Sequence, residues 1–256
     1  MTADMLHVAE WHNGEKTYSP FSDAEMARRQ DALRLWMGQA GVDAVLLTSP
    51  HGIGYFSGWI NGGFGRKYGM VVTQTDATTI SAGVDGGAPW RQSHGHNVTY
   101  TDWRRDNYYR AVRQLTARVQ RLGIEFDHVS LDARRMLDAA LPGVEMVDAG
   151  MAVAALRAVK SGEELDLLRK AAAIAEAGGR AGISAIAAGI AEHDVARLEV
   201  ALGGGDDVGV EADRRAGRFA FKHAGEDADL IRLLPLRREA RRARTTLVEE
   251  GLNIRL

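Results

Sequence analysis

The chain contains no cysteine, which excludes disulfides, thiolate metal centres and thiol catalysis. No apolar run approaches the roughly 20 residues of a membrane helix. The start, Met1-Thr2-Ala3-Asp4, lacks the basic-then-apolar pattern of a signal peptide. A formal charge of −2 gives no long-range attraction to nucleic acid or to an anionic membrane. A serine nucleophile elbow, a P-loop and a zinc-protease helix motif are all missing. Together these absences predict a soluble, cytoplasmic protein with neither a nucleic-acid nor a membrane partner. One further absence is local: all 5 Trp and all 6 Tyr lie between Trp11 and Tyr109. Beyond Tyr109 the chain becomes Ala-rich and then Gly- and Arg-rich, so it is not uniform.

What is present suits a folded protein. With 45% hydrophobic residues in 256, there is material for one large domain or two smaller ones. Residues 1–20 read as an extended arm. Ser22-Asp23-Ala24-Glu25 is a capping box, and Met26, Leu33, Met37 and Ala40 share one face of the helix it opens, which Gly41 should stop. Val42–Thr48 reads as a buried strand, and Tyr55–Ile60 as an apolar stretch that pairs or packs. Tyr68–Thr73 and Thr78–Ala82 form a predicted hairpin. Gly83–Gly95 is turn-rich, and Val98–Thr101 is a further strand. Asp106–Leu122 carries a helical stripe of Val112, Leu115, Val119 and Leu122 ended by Gly123, with a strand-like pattern resuming over Ile124–Leu131. A helix near Arg134–Ala140 and a strand at Val144–Val147 complete an α/β unit. Ala149–Val159 reads as a helical connector. Ser161-Gly162-Glu163-Glu164 is a second capping box, opening a long helix with Leu165, Leu168, Ala172 and Ala175 on one side.

Candidate chemistry centres on Asn61–Gly69, where glycines flank Phe64 and precede Arg66 and Lys67. Glycines admit positive φ and close backbone approach, and an arginine there can hold a carboxylate or phosphate by two parallel hydrogen bonds. A tight loop feeding a strand, with both cations solvated, accounts for the same residues. Gly63, Gly65 and Gly69 miss the dinucleotide spacing and precede a strand instead of following one. His94 and His96, with Asp102 or Asp106, invite a metal reading, but a structural loop pair is the better account and no metal is assigned. Asp106 or Asn107 is expected to cap the following helix. The cluster Arg237, Arg238, Arg241, Arg242 and Arg244 has no aromatic partner to stack a base, so a solvated tail is expected in preference to a nucleic-acid site.

Several strings, in order, resemble the creatinase family of pita-bread hydrolases, which also includes proline-specific aminopeptidases. They are Phe64-Gly65-Arg66 with Tyr68-Gly69, Thr78-Thr79-Ile80-Ser81-Ala82, and Asp85-Gly86-Gly87 with Pro89-Trp90-Arg91. Tyr100-Thr101-Asp102-Trp103, Arg105-Asp106-Asn107 and Gly123-Ile124-Glu125-Phe126-Asp127-His128 come next. The resemblance runs from about Phe21 to His193. It implies a ribonuclease-H-like mixed sheet with flanking helices over 1–150, followed by a pita-bread domain, in a homodimer that needs no metal or other cofactor. It further implies hydrolysis of creatine to sarcosine and urea. Phe64 and Arg66 would reach across the dimer to the substrate's carboxylate, with Arg66 the clamp and Phe64 a packing wall. A histidine in the carboxy-terminal domain would shuttle protons, and glutamates there would hold the guanidinium.

The expected domains are therefore 1–150 as the amino-terminal α/β domain, 151–196 as connector and first pita-bread helix, and 197–256 as an atypical Gly/Arg-rich tail. After His193 the family's pattern stops. A frameshift from about Arg197 is the simplest account and a genuine short paralogue its rival. Either way the chain is expected to be inactive alone, since acid–base groups typically contribute 10²–10⁴-fold. The long helix, without its domain, is expected to favour self-association. An amino-terminal domain of a metal-dependent Xaa-Pro peptidase and a non-catalytic dimerisation or regulatory module are the alternatives.

Overall fold

The computed structural model describes residues 8–9, 14–17, 19–60, 65–101, 107–186, 189 and 193. The first compact unit runs through Glu163 and is built on a mixed sheet. Its strands are β1 (Val8–Ala9), β2 (Ala44–Leu47), β3 (Gly69–Thr73), β4 (Ala77–Ala82), β5 (His96–Tyr100), β6 (Arg121–Ile124) and β7 (Glu145–Asp148). They lie in the order β1-β5-β4-β3-β2-β6-β7. Only β1–β5, β3–β4 and β2–β3 pair antiparallel, so β2, β4, β5, β6 and β7 all point one way.

The helices of this unit are α1 (Asp23–Ala40), α2 (Pro50–Ser57), α3 (Ala88–Gln92), α4 (Asn107–Leu115), α5 (Leu131–Ala140) and α6 (Gly150–Ala158). On one face of the sheet, Leu46, Val71, Ile80 and Val98 pack with Val112 of α4 and Leu137 of α5. On the other, Val45, Leu47, Met70 and Val72 pack with Leu33 and Met37 of α1, Ile53 and Phe56 of α2, and Val153 of α6. Burial on both faces explains why β2 is a continuous Ala-Val-Leu-Leu run without polar alternation. The mixed sheet with flanking helices is the fold class the resemblance implied.

Local chemistry sets the ends of α1. Ser22 Oγ accepts the Glu25 N–H at 3.1 Å, and Gly41 at φ 62 donates its N–H to Met37. The box is only half made as expected, because Glu25 pairs with Arg28 and Arg29 instead. Glu163 supplies the missing half: its carboxylate accepts the Ser22 N–H at 2.9 Å and the Ser22 hydroxyl at 2.6 Å. The arm is also tied down. Lys16 Nζ donates to the carbonyls of Trp90, Ser93 and Gly95 at 2.7–2.8 Å, and burial lowers its pKa from 10.5 to about 8.

Two expectations are refined and two need correction. The segment before the glycine loop is helix α2, opened by Ser49, whose Oγ accepts the Gly52 N–H, with Pro50 in the first turn. Gly52 and Gly54 lowered its apparent helix propensity, yet Gly52 is required there: a Cβ would lie 2.8 Å from Glu125 Oε1. The turn-rich stretch holds a 3₁₀ turn (Gly83–Asp85) and α3. Helix α4 ends at Leu115 and does not reach Leu122. Asp43 captures the N–H groups of Gln120 and Arg121 at 2.8 and 2.9 Å, drawing that segment alongside β2 as β6. Gly123 is therefore a strand residue and not a helix stop, and a Cβ on it would meet Val45 at 3.0 Å and Ala149 at 3.3 Å. Finally, β6 ends at Ile124, where the strand-like pattern was expected to begin.

Ala149 and Val153 are buried, so α6 packs inside the first unit. The second unit is described mainly over α7 (Gly162–Ala185), on which Leu165, Leu168 and Ile183 are exposed. Residues 197–256, with the arginine cluster and the expected tail, lie outside the described residues. Among the described residues no helix is long and apolar enough to cross a membrane.

Candidate functional site

The strand directions place the candidate loop. Strands β2, β4, β5 and β6 end where β3 begins, so the loop preceding β3 opens at their carboxyl ends. Open α/β sheets bind ligands at that end. Phe64 and residues 61–63 lie outside the described residues, as do Asp102 and Asp106. The described part of the loop starts at Gly65, with φ 68, followed by the exposed Arg66 and the half-buried Lys67 and Tyr68.

Three phenols hold the chain immediately after Arg66. Tyr100 Oη accepts the Lys67 N–H at 3.3 Å and donates to the Lys67 carbonyl at 3.0 Å. Tyr108 Oη donates to the Tyr68 carbonyl at 3.2 Å. Tyr68 Oη donates to Asp85 Oδ1 at 3.2 Å, while Asp85 Oδ2 accepts the Ala82 N–H at 3.2 Å. The rings also brace one another: Tyr108 stands edge-on to Tyr100 and Tyr109, and Tyr68 to Trp59. Burial pushes the Tyr108 phenol above its ordinary range, so it stays neutral and available as a donor. Gly69 is needed at the strand entrance, because a Cβ there would fall 2.5 Å from Tyr108 Oη. The sequence singled out the glycines and the cation. It did not show the tyrosines as a group, since Tyr68, Tyr100 and Tyr108 stand on three separate elements.

A second cluster at the same sheet end was also missed. Glu125, buried just beyond β6, accepts the N–H groups of Thr48 and Ser49 at 2.6 and 2.8 Å and the Ser49 hydroxyl at 2.6 Å. It sits at the N-terminus of α2, where the helix dipole favours negative charge. The pairing of Ser49 with Glu125 spans 76 residues, beyond the reach of any local motif. A third polar group, Thr79, Ser81, Asn97 and Thr99 on β4 and β5, is buried and bonded within itself.

The remaining candidates separate. His94 Nδ1 lies 3.4 Å from Asp23 Oδ1, and its N–H donates to Ser57, whereas His96 is exposed at the start of β5. Among the described residues no group of three or more His, Cys, Asp or Glu could hold a metal. Asn107 opens α4, but its side-chain amide donates to the Thr101 carbonyl and hydroxyl at 2.9 and 2.8 Å. It therefore braces the preceding strand end and is not the helix cap.

Known proteins share this outline. Residues 29–159 match the Creatinase/Prolidase N-terminal domain. The chain is 46% identical over 189 residues to the creatinase of Bacillus sp. strain B-0618, covering 72% of this chain and 46% of that protein. The prolidase of Pyrococcus horikoshii OT3 shares 21% identity and a TM-score of 0.57 over 69% of this chain and 48% of that one. The X-Pro aminopeptidase of Thermotoga maritima MSB8 shares 17% identity and a TM-score of 0.60, over 69% and 50%. At such identities these two structures speak for the fold alone. The chain spans about half the length of the curated relatives it matches.

Proposed function

The chain belongs to the creatinase/prolidase N-terminal domain family, and from that membership we propose that it supplies the carboxylate-holding half of a creatinase-type amidinohydrolase. The reaction is creatine plus water to sarcosine plus urea, with cleavage of the bond between the amidino carbon and the methylated nitrogen. The observation that carries this reading is the 46% identity to a creatinase over 189 residues, and the loop before β3 lies within the matched family domain, residues 29–159.

In this reading Arg66 meets the substrate's carboxylate with two parallel N–H donors, and Phe64 forms a packing wall at that carboxylate end. The guanidinium is always charged and planar, so it suits a carboxylate better than a lysine would. The site works across a homodimer, one protomer's loop completing its partner's substrate pocket. No metal or other cofactor takes part. The proton transfers belong to the carboxy-terminal domain of the complete enzyme, so the 256-residue chain purified alone releases no urea from creatine. Urea production by that chain, abolished in Arg66→Ala, would overturn this division of labour.

The runner-up is the amino-terminal domain of an Xaa-Pro dipeptidase or aminopeptidase. It draws on the prolidase fold shared with the Pyrococcus horikoshii protein. A chimera joining this chain through residue 193 to the carboxy-terminal remainder of the Bacillus creatinase separates the two readings. Urea release from creatine supports the proposal. A correctly folded, dimeric chimera that turns over no creatine favours the runner-up. A non-catalytic role in dimerisation or regulation predicts instead a stable complex between this chain and a full-length relative in co-purification.

A further inference from the structure

We propose that Tyr100 is a positioning residue for Arg66. The substrate role of Arg66 rests on the proposed function. The positioning itself rests on geometry.

The amide nitrogen of Lys67 belongs to the peptide plane that joins Arg66 to Lys67, and the carbonyl of Lys67 to the next plane. Tyr100 Oη bonds both, at 3.3 and 3.0 Å, so one hydroxyl fixes two consecutive planes. Rotation about ψ of Arg66 would swing the first plane and break the bond to its N–H.

The sheet explains how a residue of β5 reaches a loop before β3. Gly69 stands opposite Ile80, and Ala82 opposite Tyr100. Continuing the antiparallel register two places back from Gly69 brings Lys67 level with Ala82 and so in line with Tyr100. The Tyr100 ring is buried in the core with Ile80, Val98 and Tyr108, and Tyr108 stands edge-on to it at 5.8 Å. Tyr108 holds the next carbonyl at 3.2 Å. A forked guanidinium works best when its site is held within about 10–20°, and anchoring the loop to the sheet fixes the backbone from which the Arg66 side chain departs. The anchor is a neutral phenol, so it adds no carboxylate to compete with the ligand's.

The test uses the 256-residue chain labelled with ¹⁵N. Amide exchange at Lys67 and the order of the Arg66 Nε–Hε vector are compared in the parent, Tyr100→Phe and Tyr68→Phe, with Arg66→Ala assigning the signal. Tyr100→Phe keeps the packed ring and removes only the hydroxyl. The expected result is Lys67 exchange faster by about 10-fold and a less ordered Arg66 Nε–Hε in Tyr100→Phe alone. Tyr68→Phe, which removes a phenol from the same cluster without touching Lys67, leaves both near the parent values. Equal effects in the two variants, or none in Tyr100→Phe, would overturn the proposal. Creatine is then titrated into the chimera carrying the Bacillus creatinase remainder, where the pocket is complete: half-saturation that needs about 10-fold more creatine in Tyr100→Phe supports the role in binding. If Arg66→Ala leaves creatine binding by the chimera unchanged, the clamp reading fails, and the exchange comparison still decides whether Tyr100 positions Arg66.

Discussion

Two places at one end of the sheet treat their backbone groups in opposite ways. Beyond β2, the N–H groups of Thr48 and Ser49 are taken by the buried carboxylate of Glu125, which also occupies the N-terminus of α2. That corner is an anion site already filled from within. Before β3, the backbone of Lys67 and Tyr68 is taken by the phenols of Tyr100 and Tyr108, which bring no charge. One corner uses a carboxyl group to close itself. The other spends only neutral donors on its backbone and carries a cation, Arg66, on the surface. The contrast separates a carboxylate that closes the fold from a loop for which an external carboxylate is the proposed ligand.

Mutations at the two corners should differ accordingly. Glu125→Ala strands two N–H donors and a hydroxyl in a buried place, and should cost about 3 kcal/mol of stability, since bonds to charged groups are worth about 1.5–3 kcal/mol each. A loss under about 1 kcal/mol in urea denaturation would show that this corner is not closed by the carboxylate. Gly69→Ala should come next, at about 2 kcal/mol for overpacking, because the new Cβ is directed at Tyr108 Oη and the Leu47 carbonyl. Adding Tyr108→Phe should recover part of that loss, and a strictly additive double mutant would refute the clash. Tyr100→Phe should cost only about 1 kcal/mol of stability, its larger effect appearing in the order of Arg66.

The smallest effect concerns a third, self-neutralised group. Hydrogen bonding by Arg28, reinforced by Arg29, lowers the Glu25 pKa from 4.5 to about 2 against the opposing effect of burial. A depressed carboxylate stabilises the fold above its unfolded pKa, so this contribution is complete above pH 4.5 and is lost as pH falls toward 2. Arg28 is 47% exposed, and water screens that part of the pair. Denaturant midpoints between about pH 6 and 2 should show a limb that Glu25→Gln removes, and a limb unchanged in the variant would place the titration elsewhere.

Local signals carried much of this fold into the sequence. Ser22 and Gly41 bound α1 as capping chemistry requires, and the strand-like runs on either side of Gln74–Asp76 marked the β3–β4 hairpin. The errors share a cause. Val119 and Leu122 continue a helical stripe by spacing, yet Asp43, nearly 80 residues away, pulls Gln120 and Arg121 into line with β2. Likewise Glu163 replaces Glu25 in the cap of Ser22 across 141 residues. Such pairings leave no periodic trace. The site divides the same way: its glycines and Arg66 stood together in one short stretch, whereas Tyr100, Tyr108 and Asp85 meet the loop only once β3, β4 and β5 are aligned.

The central claim is that Arg66 holds a substrate carboxylate, and steady-state kinetics of the chimera with the Bacillus creatinase remainder tests it most directly. Truncating one partner of a hydrogen-bonded charge pair costs about 2–5 kcal/mol. The account therefore predicts that Arg66→Ala lowers kcat/KM for creatine by about 100-fold, mostly through KM, with Arg66→Lys recovering only part of it. Arg66→Ala kinetics indistinguishable from the parent chimera would contradict it.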